Sequence, residues 1–242
     1  MKEKQTIENS IYRVINKVRP AGSLGIVLAV GFAVAFLLML LSAKLMEDVV
    51  EKETGQFDQA VYSFLHTFHS PSLTQDVIFL TNMGSATRVV PIFLVIFLVL
   101  LFLRRRLEAF MLTIALGGSG LFNYLLKVTF HRARPDIEHL VEAGGYSFPS
   151  GHAMNSFVFY GMIGYLLWYH FRHRKLVRWV FPLVFLSFAV CIGLSRIYLG
   201  VHFASDVVAG FTIGGTWLIA CILGLQVIRW YYHKSGGISG KV

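Results

Sequence analysis

The sequence predicts an all-α integral membrane protein of six transmembrane helices, with an interfacial helix or helices in the first outer loop. Three observations carry that expectation. Over 242 residues the chain is 55% apolar or aromatic and only 14% charged, with a mean hydropathy of +0.63; soluble domains are rarely so apolar or so poor in charge. Apolar runs near twenty residues recur along it, the length that crosses a hydrocarbon core of about 30 Å at about 1.5 Å per residue. Within these runs the apolar residues occupy every face, which disfavours a soluble amphipathic bundle.

A basic, partly polar leader, Met1–Ser23, precedes the first run, Leu24–Leu41. That run is longer than the apolar core of most cleaved signal peptides and is expected to be a retained span. The first outer loop, about Ser42–Met83, is the longest connection, and in it Val61, Phe64, Leu65 and Phe68 recur at i, i+3, i+4 and i+7. This is the spacing of an amphipathic helix at the interface, a rim over a site or plain cover for the bundle. Spans two and three are expected at Gly84–Leu103 and Leu107–Leu126, with Arg104, Arg105 and Arg106 between them as a topology anchor. Spans four to six are expected at Ala153–Phe171, Leu176–Leu194 and Val207–Ile228.

No polar stretch is long enough for a second domain, so residues 1–242 are read as a single membrane domain. Gly117, Gly118 and Gly120 in span three, and Gly210 and Gly214 in span six, are expected at close helix contacts. Pro182 is expected to kink or end a turn in span five. Cys191 and Cys221 fall inside spans without CxxC spacing and read as small packing residues.

The net charge of +9 could indicate nucleic acid, but its distribution argues for topology instead. With the N-terminus in the cytoplasm, fifteen of the 22 Lys and Arg residues fall on the cytoplasmic side. They are Lys2, Lys4, Arg13, Lys17 and Arg19; Arg104 to Arg106; Arg172, Arg174, Lys175 and Arg178; and Arg229, Lys234 and Lys241. This obeys the positive-inside rule. Lys44, Lys52, Arg88, Lys127, Arg132, Arg134 and Arg196 fall outside. Of these, Lys127, Arg134 and Arg196 need another explanation.

They belong to three blocks that the topology puts on one face: Lys127 to Pro135 after span three, Pro149-Ser150-Gly151-His152 before span four, and Ser195 to Asp206 between spans five and six. Three fixed cations around one point repel each other, and a phosphate dianion resolves the conflict. Arginine suits two parallel bonds to its oxygens, while lysine acts as a point charge. Ser150 can N-cap a helix whose free N–H groups favour an anion, and Gly151 lets the backbone come close to it.

His202 and Asp206 are four apart, so on a helix the carboxylate can fix one ring nitrogen and leave the other free to attack phosphorus. A phosphohistidine would follow, with His152 protonating the leaving oxygen and later activating water. The scheme needs no metal or other cofactor. Each piece alone has an ordinary reading: a snorkelling lysine, a helix cap, a solvated histidine, a basic turn. Their coincidence on one membrane face overturns those readings. His131, Arg132, Asp136, Glu138, His139 and Glu142, between the first two blocks, read as a solvated loop.

The blocks match K-x6-R-P, P-S-G-H and S-R-x5-H-x3-D, and on them the chain resembles the type 2 phosphatidic acid phosphatase and haloperoxidase superfamily, in its bacterial membrane branch. The resemblance implies phosphate binding by Lys127, Arg134, Ser150, Gly151 and Arg196, with His152 as general acid, His202 as nucleophile and Asp206 as its supporting carboxylate. It also implies metal-independent hydrolysis and sensitivity to vanadate. The expected activity is hydrolysis of a phosphomonoester or diphosphate of a membrane lipid, with undecaprenyl diphosphate, phosphatidylglycerophosphate and phosphatidate all compatible. The expected surroundings are the bilayer, an extracytoplasmic site and a bacterial inner membrane, with no nucleic acid partner. Two rivals are a lipid phosphotransferase, in which an alcohol takes the phosphate in place of water, and a lipid-phosphate binder or transporter, which has no use for an attacking histidine.

Overall fold

A computed structural model describes the backbone of residues 2–174 and 177–234 and the side chains within 24–174, 177–232 and 234. The side chains of Lys2, Lys4, Arg13, Lys17 and Arg19 lie outside the described residues, as do Lys175, Leu176 and Lys241. Among the described residues all regular structure is helical: α1 Lys2–Val50, α2 Gly55–His66, α3 Pro71–Asn82, α4 Ala86–Phe102, α5 Arg106–Phe130, α6 Gly151–His170, α7 Val177–Tyr198 and α8 Ala204–Lys234.

Four stretches are long and apolar enough to cross a membrane: Leu24–Val50, Arg106–Phe130, Val177–Tyr198 and Ala204–Tyr232. The pair α3 and α4, bent by 47°, makes a fifth if counted as one span. Of the six expected spans, α4 alone is 17 residues long. Helix α6 has 20 residues but falls outside the set, because its first turns carry His152, Asn155 and Ser156. Of these, His152 stands at the candidate site with Ser156 one turn on, while Asn155 accepts from Ser119 Oγ of α5 at 2.6 Å.

Helix α6 is the axis of the bundle, packed against α7, α8 and α5. Leu112, Val158, Phe159, Met162, Ile192 and Leu225 are fully buried around it. Helix α1 packs on α8, where Ser42 Oγ donates to Thr212 Oγ1 at 2.9 Å. Phe36, Leu37, Val95 and Phe102 face outward, as residues solvated by lipid would. Helix α1 runs nine residues beyond the expected end at Leu41, to Val50. Lys44 pairs with Glu47 at 3.1 Å and Asp48 at 2.9 Å there, so a polar turn continues the helix.

The glycines divide by face. A Cβ on Gly210 would lie 2.9 Å from the Ser150 carbonyl oxygen, one on Gly214 3.0 Å from that of Met154, and one on Gly118 2.4 Å from the Trp217 ring. Gly117 and Gly120 face open space, so the expected close contact is not made there. Cys221 is buried in the core and Cys191 is exposed, both free.

Ion pairs close the bundle at the end away from the site. Glu108 is buried with Arg105 at 3.2 Å and Arg229 at 2.7 Å, and Arg105 also reaches His170 Nδ1 at 2.9 Å. Arg105 thus links the start of α5 to α6, and Glu108 links α5 to α8 through Arg229.

Candidate active site

At the opposite end, the close of α5, the start of α6, the close of α7 and the start of α8 converge, with the 131–150 loop folded over them. This brings the three sequence blocks together. Ser150 caps α6, its Oγ accepting from Ala153 N–H at 3.4 Å while its carbonyl accepts from Met154 N–H at 3.0 Å. Its own N–H is donated to the Asp206 carbonyl at 3.0 Å. Among the described residues none accepts the N–H of Gly151 or His152, so these two point outward for an anion. The Phe148–Pro149 peptide just before the cap is cis.

The cations are held by the chain that surrounds them. Arg134 donates through Nη1 to the Val201 carbonyl at 2.6 Å, through Nη2 to Gly144 at 2.8 Å and through Nε to Gly145 at 3.1 Å. Lys127 Nζ donates to the Tyr146 carbonyl. Arg196 is buried, with Nη1 on Thr81 Oγ1 at 3.0 Å and Nε unpartnered. The charges of Arg196, Arg134 and Lys127 and the ring of His202 all lie within electrostatic reach of His152. Burial lowers the Arg134 guanidinium from its ordinary value, with Asp206 opposing.

His202 differs from expectation in one respect. It precedes α8 in the turn that closes α7, whereas Asp206 lies in the first turn of α8. Their four-residue spacing is thus met across a helix start. Asp206 Oδ2 accepts the Phe203 N–H at 3.0 Å, capping α8, and approaches His202 Nδ1 at 3.3 Å. Ser147 Oγ donates to the same oxygen and lies 3.3 Å from Nδ1. On the other side of the ring, Nε2 lies 3.2 Å from Arg134 Nη1. A guanidinium can only donate, so Nε2 is the accepting nitrogen and the proton is on Nδ1, toward Asp206. Burial pushes the His202 imidazole down to about 4, against the pull of Asp206 and with help from Arg134 and Arg196. The ring is neutral at neutral pH, with its lone pair facing the cations.

Several residues here carried no role in the sequence reading. Arg132, read as part of a solvated loop, is instead tied to Asp206 Oδ1 at 2.6 Å and Asp58 Oδ2 at 2.9 Å. Asp136, Glu138, His139 and Glu142 are exposed, as that reading expects. Asn123 holds the Pro149 carbonyl at 3.2 Å and lies where a Cβ on Gly151 would meet it at 3.0 Å. The α3–α4 break supplies Gly84, whose Cβ would lie 3.1 Å from the His152 ring, and Thr81 just before it. The R-x-R spacing of Arg132 with Arg134 was a visible signal; Ser147, Thr81 and Asp58 had none, because each meets the site only through long-range packing. A cavity of about 780 Å³ opens beside His202 and Arg134, between the end of α1, α2 and the 130–137 loop.

Fold and site together define a membrane-embedded phosphatase. The sequence pattern of the PAP2 superfamily matches residues 107–230. Phosphatidylglycerophosphatase B of Bacillus subtilis is 31% identical over 180 residues, covering 73% of this chain and 85% of that protein. Undecaprenyl-diphosphatase BcrC of the same organism is 33% identical over 119 residues, 47% of this chain and 53% of the relative. The crystal structure of a transmembrane PAP2 type phosphatidylglycerolphosphate phosphatase from Bacillus subtilis superposes with a TM-score of 0.75 and 28% identity, covering 80% of this chain and 96% of that one. The chain belongs to the PAP2 superfamily and, with it, to the hydrolases of lipid phosphate esters.

Proposed function

We propose that this protein hydrolyses a phosphomonoester or diphosphate of a membrane lipid through a phosphohistidine on His202, at a site on the extracytoplasmic side of a bacterial inner membrane. In this reading the chain is one domain that crosses the bilayer six times, through α1, the α3–α4 pair, α5, α6, α7 and α8, and α2 lies at the interface. The observation that carries it is the orientation of His202: its Nδ1 is turned to Asp206 at 3.3 Å and its Nε2 toward Arg134 at 3.2 Å.

Nε2 attacks phosphorus and the bond to the leaving alkoxide or phosphate oxygen breaks, with His152 giving that oxygen its proton. His152 then takes a proton from water, which attacks phosphorus, breaks the P–N bond and frees inorganic phosphate. Lys127, Arg134, Arg196 and the N–H groups at Gly151 stabilise charge on the equatorial oxygens. Every step is assigned to side chains and backbone of this chain. Undecaprenyl diphosphate, phosphatidylglycerophosphate and phosphatidate fit a site at the lipid–water boundary, and the relatives favour the first two.

The test is phosphate release from these three lipids by detergent-purified protein in EDTA, with His202→Ala alongside. Release by the wild type alone supports the reading and ranks the substrates. Equal release by His202→Ala, or none by folded wild type, overturns it.

A further inference from the structure

We propose that Arg132 is a positioning residue of this phosphatase, acting on His202 through Asp206, and that Asp58 on α2 holds Arg132 in place. The proposal rests on the function above. It starts from the carboxylate of Asp206, which is fully buried. Its Oδ2 is occupied by Ser147 Oγ, the Phe203 N–H at 3.0 Å and His202 Nδ1 at 3.3 Å. Its Oδ1 is held by Arg132 Nη1 at 2.6 Å. Three partners share Oδ2 while Arg132 holds Oδ1, so Arg132 fixes the second oxygen and with it the plane of the carboxylate that His202 Nδ1 meets.

Arg132 is itself built in. Nη1 also meets Ser205 Oγ at 2.8 Å, and Nη2 takes Asp58 Oδ2 at 2.9 Å and Thr54 Oγ1 at 3.1 Å. Its guanidinium lies 4.1 Å from the centre of the Phe203 ring. Asp58 accepts the Ser205 N–H at 2.7 Å and its Oγ at 2.9 Å, and is 5% exposed. Arg132 thus bridges two buried carboxylates, one on α2 in the first outer loop and one on α8 at the chemistry. A surface ion pair adds little, but a fork that fills both carboxylates in a buried site fixes geometry. Helix α2 becomes a component of the site, connected through Asp58, Arg132 and Asp206 to His202.

The charged and titratable groups around His202 are Asp206 from α8, Arg134 from the loop, Arg196 from α7 and His152 from α6, with Lys127 from α5 acting on His152 and Arg132 acting at one remove on Asp206 Oδ1. Removing one cation from this set favours protonation of its neighbours. The acid limb of kcat/KM, which requires neutral His202 and ionised Asp206, must then move to higher pH.

The experiment measures kcat, KM and this limb on phosphatidylglycerophosphate and undecaprenyl diphosphate for monodisperse wild type, His202→Ala, Arg132→Ala, Arg132→Lys, Asp58→Asn and the double variant Arg132→Gln/Asp58→Asn. Since Arg132→Ala leaves two carboxylates buried without their partner, the double variant removes one charge of each sign and keeps the test if the single variant does not fold. Expected for Arg132→Ala or the double variant is a kcat at least about ten-fold lower, KM little changed, and an acid limb about half a unit or more higher. Arg132→Lys is expected to recover the limb and part of kcat, and Asp58→Asn to lower kcat without raising the limb, since it keeps the cation. A folded double variant with wild-type kcat, or lower stability with an unmoved limb, overturns the positioning role alone. Inactive wild type, or His202→Ala equal to it, overturns the function and this inference together.

Discussion

His152 and His202 are both ring nitrogens in a cationic pocket, and only their partners tell them apart. His202 has Asp206 at its Nδ1, so it can be held as a nucleophile; His152 starts α6 beside Arg196 and Gly84, with no carboxylate partner among the described residues. If His152 serves as the acid, its loss matters in proportion to the proton its leaving group needs. His152→Ala should lower kcat on a lipid phosphomonoester by about 10²–10⁴-fold, and much less on an aryl phosphate whose phenolate leaves unaided. Equal losses on the two would remove the acid role. The pH dependence of stability tests His202. Its imidazole is down at about 4 from an ordinary 6.5. Between these values the unfolded chain binds more protons than the folded one, so stability falls as pH drops through that window. His202→Gln should flatten the fall in thermal midpoint between about pH 6.5 and 4. At this scale the candidate residues that the structure gathers, Lys127, Arg134, His152, Arg196, His202 and Asp206, were legible because the proposed chemistry fixes both type and spacing. Arg132 was marked only by its R-x-R spacing with Arg134; its burial was not legible, because its partners Asp58 and Asp206 lie on other elements.

Among elements, the contact between α6 and α8 bears most directly on the site. Gly210 of α8 faces the Ser150 carbonyl at the cap of α6, and both atoms that a Cβ would strike first belong to backbone or to the Ala153 methyl beside it. Gly210→Ala must push the cap away from α8, and with it the N–H groups of Gly151 and His152. It should cost about 1–3 kcal/mol and lower kcat, whereas Gly117→Ala, facing open space, should leave both unchanged. Thermal unfolding and turnover of the two variants check this; a neutral Gly210→Ala would mean that the cap tolerates displacement. The helices themselves were largely readable from apolar runs, and their limits were not. Lys44, Glu47 and Asp48 extend α1 by self-pairing, which a hydropathy pattern does not register. The stripe of Val61, Phe64, Leu65 and Phe68 divides: Val61 and Leu65 of α2 pack inward, while Phe64 points outward against Phe68, which lies beyond the end of α2 at His66, their ring centres 5.4 Å apart. Period identifies a face, but tertiary contacts decide what that face meets.

For the molecule as a whole, the two ends of the bundle differ in what their charges do. At one end Arg105, Glu108, Arg229 and His170 close the helices on each other, with Arg172, Arg174 and Arg178 nearby in sequence. At the other, Lys127, Arg134 and Arg196 converge around a histidine, and Lys52 lines the same cavity as His202 and Arg134. By the positive-inside rule the basic surplus at the first end supports the proposed orientation, with that end in the cytoplasm and the site outside. The orientation is testable at two exposed residues, Lys52 and Arg174. In a chain with Cys191 and Cys221 replaced by alanine, Lys52→Cys should react with a membrane-impermeant thiol reagent on intact cells, and Arg174→Cys only after permeabilisation. The reverse pattern would place the site in the cytoplasm and exclude any lipid phosphate confined to the outer leaflet. Because Lys52 and His202 share one cavity, the label also reports the side from which a lipid head group reaches the histidine.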